Sequence, residues 1–378
     1  MMQNNSLHKI LFVGGGTGGH FYPLIAIAEA LNATQEPPEL YYSGPDQYDA
    51  GALQVEQIHF IRIGAGKRRR YTSLLNFIDL FRTFFGVFVA IIELYRLYPD
   101  VVMSKGGYTS VPVVIAAAFL RIPVVVHESD AVMGKANRVG SKFAQYIITT
   151  YDEVRTPNTK AAVLKLGIPI RKNLLNPPSQ NAITALGIDP DRPVILIIGG
   201  SQGAERVNAL ILDSLDELLA DYTIIHQTGK QNFTACKDTA DHLIPDTERR
   251  KHYHPLPFLA GETLNDAYHL AQVVISRAGS NSIYEIALHG KPAILIPIPE
   301  EISHDQRTNA YSYARTDGAI VLEEENLKDG LLRAEIDRIM QNDALYTTMA
   351  TGARSFGRTD SAQQVATLLM QIAHEHTN

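Results

Sequence analysis

Apolar residues along the chain fall into short unbroken runs, each followed by a glycine-containing turn and then a stretch of helical period. In the first half the runs predict strands at Lys9–Val13, Leu40–Ser43, Asp100–Ser104, Pro123–His127, Tyr146–Thr149 and Ala162–Leu166. The same pattern predicts helices at Gly19–Ala33, Ser73–Tyr98, Ser110–Leu120 and Lys135–Phe143. Runs such as Val124-Val125-Val126 are apolar on both faces, as expected of a parallel sheet covered by helices on both sides. The alternation restarts with strands at Pro193–Gly199, Thr223–His226, Lys251–Pro255, Val273–Ser276 and Pro292–Ile296. Helices at Ala204–Leu219, Ser280–Leu288 and Asp305–Ala314 lie between them, and beyond about Asn326 the pattern is helical throughout. The proline-rich stretches Asn176-Pro177-Pro178-Ser179 and Asp189-Pro190-Asp191-Arg192-Pro193 predict a linker at 173–192, separating residues 1–172 from 193–357. The expected class is α/β, with two Rossmann-like, doubly wound parallel-sheet domains.

Composition and charge narrow the function. Of 378 residues, 45% are hydrophobic and 20% charged, which excludes wholesale disorder. The one cysteine, Cys236, cannot close an intramolecular disulfide, which argues against a secreted disulfide scaffold. The net charge of -6 is unevenly spread: residues 1–172 hold 18 Lys+Arg against 13 Asp+Glu, and the remainder 16 against 27. The basic half suits an anionic partner, while the acidic half argues against nucleic acid. The start of the chain shows no signal-peptide core, and Leu74–Tyr98, the most lipid-like stretch, is interrupted by Asp79, Arg82, Glu93 and Arg96. Just before it stand Lys67, Arg68, Arg69 and Arg70, a cationic run suited to an anionic membrane surface or a pyrophosphate. Most of the phenylalanines that follow are expected to face the interior as core of a buried helix.

The chemistry concentrates in loops at strand ends. Gly14-Gly15-Gly16-Thr17-Gly18-Gly19-His20 joins the first strand to a helix, the arrangement in which glycine backbone and a helix N-terminus receive an anion. Gly199–Ala204 repeats the device in the second half, and Lys105-Gly106-Gly107-Tyr108-Thr109-Ser110 adds a third loop. Loops of this kind on two domains point to a ligand with phosphates. A dinucleotide site would also want an acid at the end of the second strand; Ser43-Gly44-Pro45 stands there instead, which disfavours an NAD-linked oxidoreductase. Ala278-Gly279-Ser280-Asn281-Ser282 opens another helix, with Glu285 one turn in, where a carboxylate can bond ribose hydroxyls or simply complement the helix dipole. No cluster with metal-ligand spacing is present, so neither metal nor other cofactor is expected.

Taken in order, Gly14–His20 with Phe21-Tyr22-Pro23, Gly106-Gly107-Tyr108, Pro123-Val124-Val125-Val126-His127-Glu128 and Gly167-Ile168-Pro169-Ile170-Arg171 resemble the MurG family. The Gly199–Ala204 loop, Ser276-Arg277-Ala278-Gly279 with Glu285, and Gln306 ahead of Asn309-Ala310 extend the resemblance over nearly the whole chain. MurG enzymes transfer N-acetylglucosamine (GlcNAc) from UDP-GlcNAc to lipid I, undecaprenyl-pyrophosphoryl-MurNAc-pentapeptide. The resemblance implies a GT-B fold with an interdomain cleft, and a C-terminal helix, 358–378, packed back on the first domain. It implies an inverting transfer to the MurNAc 4-hydroxyl, at the cytoplasmic face of the cell membrane, by a peripheral protein with possible partners among cell-wall synthesis proteins.

Residue by residue, the resemblance places Thr17, Gly18 and Gly19 at the donor sugar or acceptor pyrophosphate, and Arg171 and Ser201 at uridine and phosphate. It sets the Leu259 backbone against uracil, Ser280, Asn281 and Ser282 at the diphosphate, Glu285 on the ribose and Gln306 on a sugar hydroxyl. Gly106, Gly107, Tyr108 and Asn137, with Lys67–Arg70, fall on the acceptor and membrane side. Two departures stand out: the family's His-Glu-Gln-Asn is here His127-Glu128-Ser129-Asp130, and its Gln-Gln pair is Asp305-Gln306. An ionised Asp130 only accepts hydrogen bonds, whereas asparagine also donates. His20 is the favoured general base because an imidazole titrates near neutrality. Two other roles stay open for it, a bond to a loop carbonyl or a grip on diphosphate, with Asp130 or Glu128 as rival bases. The competing functions are another GT-B transferase, a sugar-nucleotide epimerase and a catalytically idle membrane scaffold.

Overall fold

The computed structural model describes residues 7–63, 74–156, 160–199, 204–300, 304–327 and 330–377. The basic run Lys67–Arg70 and Ser201 lie outside these residues. The chain divides into two compact units, Met1–Lys172 with Arg358–Asn378, and Asn173–Gly357.

The first unit holds strands β1 (Lys9–Gly14), β2 (Glu39–Gly44), β3 (His59–Arg62), β4 (Val101–Gly106), β5 (Val124–Glu128), β6 (Tyr146–Thr149) and β7 (Ala162–Lys165). They form one parallel sheet in the order β3-β2-β1-β4-β5-β6-β7. Side chains alternate across a strand, so Ile10 and Phe12 pack on one face of β1 while Leu11 and Val13 pack on the other. The first face is covered by the helix Gly18–Asn32 and by the C-terminal helix Ser361–Thr377, which buries Val365, Leu369 and Ile372 there. The second is covered by helices Leu74–Leu97 and Ser110–Phe119 through Ala90, Leu94, Val113 and Ala117.

In the second unit, β8 (Val194–Ile198), β9 (Thr223–Gln227), β10 (Tyr253–Leu256), β11 (Ala271–Ser276), β12 (Ala293–Leu295) and β13 (Ala319–Val321) pair in parallel in the order β10-β9-β8-β11-β12-β13. Both sheets thus run 3-2-1-4-5-6 from their own first strand, the first with a seventh strand added at its edge. The order in which strands are added reverses between strands 1 and 4, and such a switch opens a crevice at their C-terminal ends, where α/β sheets receive ligands. The crevices lie beyond β1 and β4 in one unit and beyond β8 and β11 in the other. The turns after β1 and β4 and the Ala278–Gly279 turn after β11 stand at these ends, while residues 200–203, beyond β8, lie outside the described residues.

Several elements depart from the pattern reading. β3 and β13 were not expected: β3 is only partly buried and begins and ends on polar His59 and Arg62, and β13 is three residues long. The helices Phe233–Leu243 and Gly261–Leu270 were also missed, and the helix expected at Ala204–Leu219 breaks at Ser214 into Glu205–Asp213 and Leu215–Asp221. Residues 173–192, expected as a linker, belong to the second unit: Ser179 donates from its N–H and hydroxyl to Asp266 at 2.8 and 2.6 Å, beside the short helix Ala182–Leu186. The expectation of inward phenylalanines is corrected. Phe84, Phe85 and Phe88 are 64%, 69% and 55% exposed, because the four-residue stripe Gly86, Ala90 and Leu94 is the side of the helix turned to the sheet.

Candidate functional site

Three turns meet at the switch of the first unit. β1 ends at Gly14, whose carbonyl accepts from the buried Tyr42 hydroxyl at 2.6 Å. Thr17 stands extended as N-cap of the next helix without a side-chain bond to it, and the Gly18 amide meets the Tyr48 hydroxyl. Gly106 and Gly107 adopt φ of 87° and 79° at the end of β4. A Cβ on Gly107 would stand 2.8 Å from the Gly15 carbonyl oxygen, and one on Gly106 would stand 2.7 Å from Asn137 Oδ1, so both positions demand glycine. Tyr108 follows beside Gly16, half-buried. The loops after β1 and β4 therefore form one contiguous surface.

His20 sits in the first turn of its helix, half-buried, packed against Gly107. Its Nδ1 is buried without a hydrogen-bond partner, and the Lys105 carbonyl accepts from the ring. Burial and then the Lys105 ammonium push its pKa down to about 4, with Asp130 acting in the opposite sense. The expected near-neutral titration is thereby corrected. At pH 7 the imidazole is neutral, the form a base requires.

The end of β5 supplies the other side. Glu128 is buried and fully engaged: Oε1 accepts from the Asp130 N–H at 3.0 Å, and Oε2 from the Gly134 N–H and Asn137 Nδ2, both at 2.9 Å. Burial foremost, and then the Asp130 charge, raise its carboxyl pKa. This is the geometry of a loop organiser, and it favours Asp130, which is half-exposed, as the alternative base. Asn137 Nδ2 also bonds the His127 carbonyl at 3.0 Å, so Asn137 is a buried brace within the site rather than a membrane contact. His127, wholly buried, donates from Nε2 to the Gly167 carbonyl at 2.8 Å; burial holds its pKa far below the usual histidine range. Arg171 lies with its guanidinium 4.4 Å above the Tyr22 ring.

One charged residue had no role in the sequence reading. Lys105, the penultimate residue of β4, is 1% exposed, and its Nζ donates to Ser129 Oγ at 2.6 Å. Burial lowers its pKa to about 8, against the pull of Glu128 and Asp130. The available signal was a lysine ending an otherwise apolar central strand, where a charge has no ordinary reason to be.

At the second switch, Gly279 is the extended N-cap of the helix Ser280–Leu288, and a Cβ there would meet nothing within 4 Å, so the approach to the helix end is open at that point. Ser280, Asn281 and Ser282 form its first turn. Glu285 is half-buried, and Oε2 accepts from the Tyr268 hydroxyl at 3.1 Å; burial and this carboxylate keep the phenol protonated far above its usual range. The Tyr268 ring stacks at 4.6 Å on His289. Leu259 is buried with its N–H donating to Gln227 Oε1 at 2.8 Å. Gln306, half-buried, accepts through Oε1 from the Ile298 N–H at 3.3 Å. Asn309 Nδ2 reaches the Ala278 carbonyl at 3.3 Å, and Arg277 bonds the Ile296 carbonyl at 3.1 Å and pairs with Glu324, so both brace the Ala278–Gly279 turn.

Comparison with known proteins agrees with this division. Residues 10–149 match the model of the glycosyltransferase family 28 N-terminal domain, and residues 194–365 that of its C-terminal domain. The chain is 36% identical over 344 residues to UDP-N-acetylglucosamine--N-acetylmuramyl-(pentapeptide) pyrophosphoryl-undecaprenol N-acetylglucosamine transferase 3 of Bacillus thuringiensis, covering 90% of this chain and 94% of the relative. It is 37% identical over 343 residues to the corresponding transferase of Clostridium botulinum, with 90% and 93% covered. Among solved structures, MurG of Acinetobacter baumannii superposes with a TM-score of 0.75 at 26% identity, over 96% of this chain and 99% of that one. A putative UDP-N-acetylglucosamine 2-epimerase of Listeria monocytogenes shares the fold alone, with a TM-score of 0.70 at 14% identity over 99% and 98% of the two chains. Two doubly wound sheets, glycine turns at both switch points and this identity across both units place the chain in the MurG family of GT-B N-acetylglucosaminyltransferases.

Proposed function

We propose that the chain transfers GlcNAc from UDP-GlcNAc to the MurNAc 4-hydroxyl of lipid I, forming lipid II with inversion at the anomeric carbon. The observation that carries the transfer itself is the 36% identity to a transferase of that name over 90% of the chain. In this reading the second unit holds the donor. The N–H groups of Ser280, Asn281 and Ser282 at a helix N-terminus receive the diphosphate, and their dipole stabilises the negative charge that develops on departing UDP. Glu285, aimed by Tyr268, accepts from ribose hydroxyls, and the Leu259 carbonyl meets uracil. Gln306 contacts the sugar, and Ser201 a phosphate.

The first unit supplies the acceptor side. Neutral His20 takes the proton of the attacking 4-hydroxyl, with Asp130 as the rival base. Thr17, Gly18, Gly19, Gly106, Gly107 and Tyr108 form the surrounding loops, and Arg171 adds a cation held over Tyr22. In this reading the protein works at the cytoplasmic face of the membrane; contact with a membrane surface is supported by Phe84, Phe85, Phe88, Ile92 and Tyr95, which are exposed along one side of the helix Leu74–Leu97, and by exposed Phe119 on the adjoining helix. No helix among the described residues is long and apolar enough to cross a membrane. The test is incubation of the protein with UDP-GlcNAc and lipid I, with the new linkage read by NMR: a β-linked GlcNAc on the MurNAc 4-oxygen is expected, and an α-linkage overturns inversion. Conversion of UDP-GlcNAc to its 2-epimer without acceptor would instead assign an epimerase.

A further inference from the structure

We propose that Lys105 is a positioning residue of the transfer site, and that it works as a couple with Asp130: its buried ammonium, anchored on Ser129, holds the 128–130 turn beside His20 and balances the Asp130 carboxylate. The inference rests on the transferase reading above for its kinetic consequences.

The geometry sets a charge where a sheet interior ordinarily has none. Lys105 stands one residue before the end of a strand whose every residue is buried, and its side chain runs from β4 across to the residue after β5, with Nζ 2.6 Å from Ser129 Oγ. An ammonium out of water is costly unless charges of opposite sign lie near it. Those charges are Glu128 and Asp130. Glu128 already spends both carboxylate oxygens on the Asp130 and Gly134 amides and the Asn137 side chain, so its role is to fix the turn. Asp130, half-exposed at the lip of the site, is the carboxylate able to meet substrate.

The two residues that set this couple are also the two that act on His20. Lys105 disfavours its protonation and Asp130 favours it, so the two act on the imidazole in opposite senses. His20 itself packs on Gly107 from the helix side, and a Cβ added at Gly14 would touch both Lys105 Cβ, at 2.9 Å, and the His20 carbonyl, at 3.3 Å. The charged groups that act on His20 are Lys105 from β4 and Asp130 from the turn after β5, and Lys105 in turn faces Glu128 and His127 of β5. Where the family resemblance has asparagine at position 130, a neutral residue needs no cation behind it. Here the aspartate comes with Ser129 and Lys105, which are bonded to each other, so a cation stands near the Asp130 carboxylate. Removing one member alone leaves an unbalanced charge, while removing both returns the site to the neutral pattern.

The test is a double-mutant cycle of Lys105→Met and Asp130→Asn, assayed as lipid II formation from UDP-GlcNAc and lipid I between pH 4 and 9. Thermal melts and an NMR titration of the His20 ring are run alongside. Each single variant is expected to lose about tenfold or more in kcat/KM, and the double variant to retain at least about tenfold more than the product of the two losses. Lys105→Met should raise the His20 titration by about one unit, Asp130→Asn should lower it, and the double variant should return toward wild type. Losses that multiply, with a His20 titration equal in all four proteins, would reduce Lys105 to a structural strut. If Lys105→Met does not fold, Asp130→Asn decides alone: an unmoved His20 titration overturns the proposal. Wild-type protein inactive on lipid I would overturn the transferase reading, whereas the NMR titration judges the couple without turnover.

Discussion

His20 was legible as a candidate from its place in the glycine loop, but its titration was not, because Lys105 is 85 residues away in sequence and meets it only through the sheet order β1-β4. The same holds for Glu128: its side chain looked free to act as a base until Asp130, Gly134 and Asn137 were seen to occupy it. His20→Ala is expected to lower transfer about a hundredfold or more, the usual worth of a general base, with UDP affinity unchanged. The acidic limb of kcat/KM for wild type belongs near pH 4 rather than at 6–7, since the imidazole stays neutral down to about that pH. A limb that survives in His20→Ala gives the base to Asp130. On the donor side Glu285 was legible from its spacing, whereas Tyr268, which aims it, comes from a helix that the pattern did not reveal. Glu285→Ala should weaken UDP binding by roughly tenfold or more, the cost of a charge-assisted hydrogen bond. Tyr268→Phe should weaken it less, because the carboxylate remains; calorimetric titration with UDP separates the two.

The long apolar strands β1, β4, β5, β8 and β11, which form the centre of each sheet and place the site loops, were readable, and so were β2, β6, β7, β9, β10 and β12. The strands β3 and β13 were not readable, the first because His59 and Arg62 bound only two apolar residues, the second because it is three residues long. The helix Leu74–Leu97 misled in the opposite direction. Apolar content alone does not say which side is inward, and here small residues, Gly86 and Ala90 with Leu94, take the packing side and leave aromatic rings in solvent. Replacing Phe84, Phe85 and Phe88 together by serine should therefore cost little thermal stability. It should markedly reduce flotation with vesicles containing anionic phospholipid, with UDP affinity unaltered. Unchanged flotation would detach this face from the membrane.

At the scale of the whole chain, two copies of one topology were foreshadowed by the repeated strand, glycine turn and helix, but their exact strand order depended on pairings between distant segments. The C-terminal helix shows the limit well: nothing in its own pattern tells that Val365, Leu369 and Ile372 complete the core formed by Ile10 and Phe12. Buried histidines tie stability to pH in both units. His20 and His226, the latter enclosed by Tyr253 and Asn208, titrate at about 4 and about 3 in the folded protein, against 6.5 when exposed. Below pH 6.5 the unfolded chain takes up protons that the folded chain refuses, so stability is full above that pH and falls as pH drops toward 4. The loss is about 2 kcal/mol per histidine by pH 5. Calorimetric melts should shift downward from pH 7 to pH 5, and His226→Gln should flatten the dependence. The central claim, that these two units together move GlcNAc onto a lipid-linked acceptor, is tested most directly by following labelled UDP-GlcNAc with and without lipid I. The account predicts label appearing in lipid II only when lipid I is present, with release of one UDP per sugar transferred. Label that stays in the nucleotide pool in both reactions, with lipid I unconsumed, would contradict it.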